Sequence, residues 1–169
     1  MSVHSIKRWH AIYVASRCER MVATQLMELG IESMVPITKE LRQWSDRRKW
    51  VEKVLFPNYV FLCVDIHVRQ TVKGLRHVVG YVKSGGEEAV LSEKEVNLIK
   101  NIGKLTNPVT IHHEKLGVGD EVEIVEGPLR SLRGHIISNN DKIHLLISIP
   151  SLGCFSEIII GKNEVKRCI

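Results

Sequence analysis

Apolar positions change their spacing several times along the chain, and each change marks an element. Residues 9–15, Trp-His-Ala-Ile-Tyr-Val-Ala, are rich in strand formers and run into Ser16, which with Glu19 has the S-x-x-E spacing of a capping box. Val22, Leu26 and Leu29 then recur at i, i+4 and i+7, and Gly30 stands where a helix would end. Strand followed by helix is the first unit predicted. From Glu32 to Val64 two strand-like stretches, one ending near Leu41 and the other resuming near Trp50, flank the polar run Arg42–Lys49, the pattern of a long hairpin with a basic tip. Val68, Val72 and Leu75 keep helical spacing, Val78–Lys83 reads as a strand, and Ser84-Gly85-Gly86 is a turn. Ser92 and Glu95 repeat the capping-box spacing, with Leu91 and Val96 placed as a hydrophobic staple and Val96, Ile99 and Ile102 forming a stripe before Gly103.

This order predicts an α+β sandwich, an antiparallel sheet with three helices, over residues 1–103. Residues 104–116, with Pro108 and no strong period, read as a linker. From Gly117 the pattern is short β-branched runs between turn residues: Glu121–Glu126, Gly134–Ser138, Ile143–Ile149, Phe155–Ile160 and Glu164–Cys168. Five short strands within residues 117–169 predict a small all-β barrel, whose closure would protect strand edges.

Composition changes this picture in three places. A chain of 169 residues with 44% hydrophobic content has enough apolar material for two small domains. The net charge of +5 is carried by residues 1–103, with 16 Lys/Arg against 11 Asp/Glu, while residues 104–169 hold 8 of each. That asymmetry suits a segment lying near a polyanion, and it equally describes a solvated basic surface. The four cysteines, Cys18, Cys63, Cys154 and Cys168, have neither zinc-site pairing nor the density of a disulfide framework. No apolar run reaches the roughly 20 residues of a membrane span, so no membrane role and a cytoplasmic address are expected. The usual catalytic motifs are missing, and His112-His113 in the expected linker has no nearby cysteine; no enzyme activity, cofactor or metal is expected.

Two strings carry a family resemblance that covers nearly the whole chain. Arg8-Trp9-His10-Ala11-Ile12-Tyr13-Val14 with the helix after it, and Val54-Leu55-Phe56-Pro57-Asn58-Tyr59-Val60-Phe61, resemble the NGN domain of the NusG family. The form FPNY, rather than FPGY, looks more like the specialised RfaH and UpxY-like antiterminators of polysaccharide loci than like housekeeping NusG. Gly119–Leu129, followed by Gly134, resembles a KOW motif, centred on Gly127, Pro128, Leu129 and Gly134, in an SH3-like barrel; Leu129 stands where that family usually has Phe and Ser131 where it often has Gly.

The resemblance implies a transcription elongation and antitermination factor, expected to be monomeric, that docks an exposed apolar patch on the clamp helices of the largest RNA polymerase subunit. Tyr13, Phe56, Pro57 and Tyr59 are the implied anchors. Strand alternation cannot place Phe56, Pro57, Tyr59 and Phe61 all on one buried face, so part of the cluster is expected at the surface. Trp9 reads as core. Val68-Arg69-Gln70-Thr71 aligns with a patch that touches the opposite pincer of the polymerase in the RfaH branch, where only Thr71 keeps the expected hydroxyl; Arg69, Gln70 and Lys73 would face outward, as on any solvated helix. Arg17, Arg20, Arg76 and His77 match the region that touches the non-template DNA strand. Arg47, Arg48 and Lys49, flanked by Trp44 and Trp50, suit upstream DNA or simply a solvated tip. For the KOW domain the family implies a ribosomal protein or a termination factor as partner, with Ile158, Ile159 and Ile160 as core or contact. A housekeeping NusG-type role, or a ribosome-associated KOW RNA-binding protein, are the alternatives; Glu121, Glu123 and Glu126 argue against direct RNA contact.

Overall fold

The computed structural model describes residues 6–104, 109–112, 119, 121–124, 126–139, 143–160 and 165–167. The chain separates into two compact units, residues 1–35 with 56–96, and residues 36–55 with 97–169. In chain order the elements are β1 (Arg8–Val14), α1 (Glu19–Glu28), β2 (Glu32–Met34), β3 (Ile37–Gln43), β4 (Arg48–Val54), β5 (Tyr59–Val64), α2 (Arg69–Lys73), β6 (Val78–Tyr81), β7 (Lys83–Ser84), β8 (Glu87–Glu88), β9 (Val90–Leu91), α3 (Glu93–Ile102), β10 (Val109–His112), β11 (Glu121–Ile124), β12 (Arg133–Asn139), β13 (Ile143–Ile149), β14 (Cys154–Ile160) and β15 (Val165–Arg167). This is the mixed α+β architecture with three helices and antiparallel sheets that the patterning predicts, followed by a small all-β region.

The first unit is built on a sheet ordered β2-β5-β1-β6, with β9 also pairing β1. Ile12 and Val14 of β1, Val60, Leu62 and Val64 of β5, Val22 and Leu26 of α1, and Val72 of α2 form one buried cluster. Helix α1 ends in a Schellman motif: Ile31 N–H reaches the Leu26 carbonyl at 2.9 Å and Gly30 N–H the Met27 carbonyl at 2.9 Å, with Gly30 at φ +69°. Leu29, expected on the apolar stripe, is 50% exposed because it occupies the cap, past the last helical turn. Helix α3 carries the predicted capping box: Glu95 Oε2 accepts from Ser92 N–H at 2.8 Å and Ser92 Oγ accepts from Glu95 N–H at 3.3 Å, with Leu91 and Val96 both buried.

The earlier S-x-x-E behaves differently. Cys18, not Ser16, precedes the first turn of α1, and no side chain caps it. Glu19 is buried and accepts from the Asn58 backbone N–H at 2.7 Å. A partner 39 residues away captures the carboxylate that local spacing assigns to the cap.

A second polar network ties β1 to α2 and β8. His10, fully buried, donates Nδ1–H to the Ala89 carbonyl at 2.8 Å, which leaves Nε2 to accept from Arg69 Nη2 at 2.9 Å. Arg69 Nη1 and Lys73 Nζ hold the two oxygens of Glu88 at 3.1 and 2.7 Å, and Lys73 also lies 5.5 Å from the Tyr81 ring centre. Arg69, expected to face outward, is therefore turned inward, because Glu88 and His10 satisfy it better than water does. Burial, then the Arg69 guanidinium, lowers the His10 pKa; burial, then Glu88, pushes the Tyr81 hydroxyl up to about 12.

In the second unit, β3 and β4 form a two-stranded hairpin running from Ile37↔Val54 to Gln43↔Arg48, as predicted. A separate six-stranded antiparallel sheet is ordered β10-β14-β13-β12-β11-β15. Its fourth predicted run, now β14, alternates strictly, with Cys154, Ser156, Ile158 and Ile160 buried; these pack in a core that includes Ile124, Leu129, Leu145, Ile147 and Ile149. Val109–His112, within the stretch expected as linker, pairs with β14 as β10. The rest of that stretch apart from Lys104, including Pro108 and His113, lies outside the described residues.

Because His10 is neutral in the native network and its folded pKa lies below the ordinary 6.5, the unfolded chain takes up the proton first as pH falls. The contribution is whole above 6.5 and is lost as pH drops through the lowered native value. We expect thermal unfolding to show a melting temperature that declines below pH 6.5, and His10→Gln to remove that component of the decline while lowering stability at neutral pH.

Candidate functional site

Register places three pairs on one face of the β1–β5 ladder: Trp9↔Cys63, Ala11↔Phe61 and Tyr13↔Tyr59. The small Ala11 sits opposite the large Phe61, and both are fully buried. Phe56 is fully buried as well, its ring edge-on to Phe61 at 5.2 Å. Tyr59, 6% exposed, lies against Tyr13 at 4.8 Å between ring centres, and its hydroxyl donates to the Tyr13 hydroxyl at 3.1 Å. Tyr13 itself is 38% exposed. On its other side β1 pairs with β6, where Gly80 stands opposite Tyr13.

The expectation that part of the Phe56, Pro57, Tyr59 and Phe61 cluster reaches the surface holds for Pro57 alone, and the placing of Phe56 and Tyr59 as exposed anchors is corrected. Phe56 and Tyr59 are buried and only Pro57 and Asn58, between them, are exposed. The reason is cover on both faces: Val60 and Leu62 pack in the cluster with α1 and α2, while Phe56 lies against Tyr59 and Phe61, so alternation along β5 has no solvent side to express. Trp9 is half-buried.

Three non-glycine residues with left-handed backbone surround this end of β1: Arg17 at φ +63°, Asn58 at +68° and His77 at +70°. Val14 N–H donates to the Asn58 carbonyl and Ala15 N–H to the His77 carbonyl, each at 2.8 Å. The loops carrying Arg17, Pro57-Asn58 and His77 are thus stitched to the strand that carries Tyr13, and Glu19 adds the clamp on Asn58. Arg17, Arg20 and Arg76 are exposed and His77 half-buried. Thr71 is exposed on α2. Arg47, Arg48 and Lys49 are exposed at the end of the hairpin, in the other unit.

Residues 7–100, more than half of the chain, match the family described as "Transcription termination factor nusG". The chain belongs to the NusG family. The protein named "Transcription termination/antitermination protein NusG" from Pasteurella multocida is 23% identical over 175 residues, covering 95% of each chain. Its namesake from a Synechocystis species is 28% identical over 171 residues, covering 83% of this chain and 80% of the relative. A solved structure of Thermotoga maritima NusG covers 96% of this chain and 98% of its own at a TM-score of 0.61 and 24% identity, which shows the shared fold. This NusG-family chain is a transcription termination/antitermination factor and not an enzyme.

The NusG membership gives meaning to Asn58. Its left-handed φ is one that Gly reaches freely and Asn tolerates, so the FPGY and FPNY forms answer the same backbone requirement. In the KOW-like segment Gly127 has φ +80° and Leu129 is buried in the all-β core. A Cβ on Gly134 would lie 2.8 Å from the Leu146 carbonyl oxygen. Ser131, where the KOW motif often has Gly, adopts φ +69° and donates its N–H to the Ile124 carbonyl at 2.7 Å. Among the described residues no cluster of His, Cys, Asp or Glu is arranged to hold a metal, and no helix is long and apolar enough to cross a membrane.

Sequence reasoning missed the partners of Glu19, His10 and Glu88, each of which lies far away in the chain. Two stability measurements follow from this geometry. In chemical denaturation Phe56→Ala should lose about 3–5 kcal/mol, as deletion of a buried ring does, whereas Tyr13→Ala should lose only about 1–2 kcal/mol, one hydroxyl bond and part of a ring contact. Equal losses would mean that Tyr13 is structural like its neighbours. Ser131→Gly should raise stability by about 1 kcal/mol by removing the left-handed penalty on a side chain, and Gly134→Ala should lower it; a destabilised Ser131→Gly would contradict the strained backbone at that site.

Proposed function

We propose that this chain suppresses pausing and termination by docking on the clamp helices of the largest RNA polymerase subunit, with Tyr13 as the central anchor and Pro57 beside it. The observation that carries this reading is the half-open tyrosine pair: Tyr13 is exposed while Phe56, Tyr59 and Phe61 beside it are sealed, and the Tyr59 hydroxyl holds it. A preordered aromatic ring at a surface gives large contact area with little entropy left to lose on binding. Phe56 and Tyr59 act from beneath, by fixing that ring and the turn.

Thr71 on α2 contacts the opposite pincer of the polymerase. Binding both sides favours the closed cleft over the open, paused one in proportion to the difference in affinity for the two states. Arg17, Arg20, Arg76 and His77 face the non-template strand, where Arg pairs with phosphates or reads guanine; their convergence on the end of β1 supports this. Arg47, Arg48 and Lys49 lie along upstream DNA. Residues 1–103 form the polymerase-binding domain and 117–169 the KOW domain that recruits a ribosomal protein or termination factor, with β10, from the stretch expected as linker, added to the sheet of the latter. The factor is a cytoplasmic, operon-specific antiterminator at a locus such as a polysaccharide cluster.

A reconstituted elongation assay on the native leader DNA tests this. Wild type should shorten pauses and raise readthrough; Tyr13→Ala should require roughly thirtyfold more protein for the same effect, the equivalent of about 2 kcal/mol at a central anchor, and Tyr13→Phe should fall between. Full activity of Tyr13→Ala would overturn the docking assignment. Equal activity on an unrelated leader would replace the operon-specific role with a general one.

A further inference from the structure

The β3–β4 hairpin carries an arrangement that backbone tracking of DNA leaves unexplained. Two of the chain's three tryptophans are on it, Trp44 57% exposed and Trp50 62% exposed, with Leu41, the cross-strand partner of Trp50, 46% exposed. A solvated hairpin tip has no need of such rings, and among the described residues the two strands pair only with each other.

Their surroundings are cationic. Ile37–Val54 holds six basic residues, Lys39, Arg42, Arg47, Arg48, Lys49 and Lys53, against three acidic ones, Glu40, Asp46 and Glu52. Glu40 lies 3.9 Å from both Arg42 and Lys53, and Asp46 lies 3.9 Å from Arg47. Arg48 and Lys49 have no ion-pair partner among the described residues, and they immediately precede Trp50. Register sets Arg42 directly opposite Lys49, two like charges whose repulsion weakens the ladder until an anion lies between them. By strand alternation Trp50 shares a face with Arg48, while Arg42 and Lys49 share the other. The Trp44 N–H closes the turn on the Arg47 carbonyl at 2.8 Å, which puts Trp44 three ladder positions beyond Trp50, about 10 Å along the strand. Trp50 also walls a groove with Ile37, Lys39 and Lys104.

We propose that this hairpin is a single-strand-binding blade: a DNA strand crosses its tip, with unpaired bases stacked on Trp50 beside Arg48 on one face and on Trp44 beside Arg42 and Lys49 on the other, and with these cations and Arg47 holding its phosphates. The inference rests on the reading that the factor works beside DNA in the elongation complex, and it changes what the hairpin recognises there. A duplex hides its base faces and would use only the cations, whereas a single strand offers a π-face at every nucleotide. The charge balance favours a polyanion over an apolar protein partner, which would leave Arg48 and Lys49 buried without counter-charge.

The test is fluorescence anisotropy with the full chain and labelled oligothymidylate of about 15 nucleotides, an abasic strand of the same length, and the matched duplex. Oligothymidylate should bind about fivefold or more tighter than the abasic strand. Trp44→Ala and Trp50→Ala, which should melt like wild type, should erase that difference with an unchanged salt slope. Arg48→Ala and Lys49→Ala should weaken both strands alike and flatten the slope. An oligouridylate arm reports whether RNA shares the site; tighter binding of RNA than DNA would overturn the assignment to DNA. Equal affinity for oligothymidylate and abasic strand, tryptophan variants that bind like wild type, or preference for the duplex would overturn the blade. Tyr13→Ala should bind these strands like wild type, so a failed blade and a failed polymerase dock give separate results.

Discussion

The β1–β5 ladder is the constraint on which the first unit depends. It is the interior pairing of the sheet, and its two faces do different work. One face contributes Ile12, Val14, Val60, Leu62 and Val64 to the cluster beneath α1 and α2. The other stacks Ala11 on Phe61 and Tyr13 on Tyr59, so a single register delivers a sealed core at one point and an open ring two residues later. Because side chains alternate with period two, a one-residue slip would bury Tyr13 and expose Ile12 and Val14. The apolar face therefore enforces the geometry of the exposed ring: it holds Tyr13 in place without touching whatever Tyr13 meets.

Much of this was legible in the sequence, where local pattern and tertiary outcome agree. Ser92 and Glu95 form the predicted box because both partners lie within one turn, and Leu91 and Val96 close over them. Gly30 ends α1 because only a residue at ease with positive φ completes the Schellman bonds. The alternation of Phe155–Ile160 marks a strand with one buried face, and β14 is that strand. The change from mixed helix and strand spacing to short β-branched runs announced α+β elements followed by a small all-β region.

The misreadings share a cause. Ser16 and Glu19 have the same spacing as Ser92 and Glu95, but Asn58 presents a backbone donor that outcompetes the cap. Arg69 looks like any outward residue on a short helix until Glu88 and His10 arrive from β8 and β1. Alternation predicted exposed rings in the FPNY segment because it assumes that one side of a strand meets water, and β5 has no such side. In each case a group from a distant part of the chain supplies a stronger partner than solvent. Spacing carries no record of that partner. The anchors and basic contacts drawn from family resemblance are of a different kind: the fold fixes where Tyr13, Pro57, Arg17 and His77 sit, and binding partners decide what they do.

The bond from Asn58 to Glu19 has one more implication. It joins the exposed Pro57-Asn58 turn to the start of α1, with Arg17 exposed in the loop before the helix and Arg20 exposed in its first turn. A charge-assisted bond of this length ties the loop's position to that of the helix start, so the two move as one piece, joined through a single buried carboxylate.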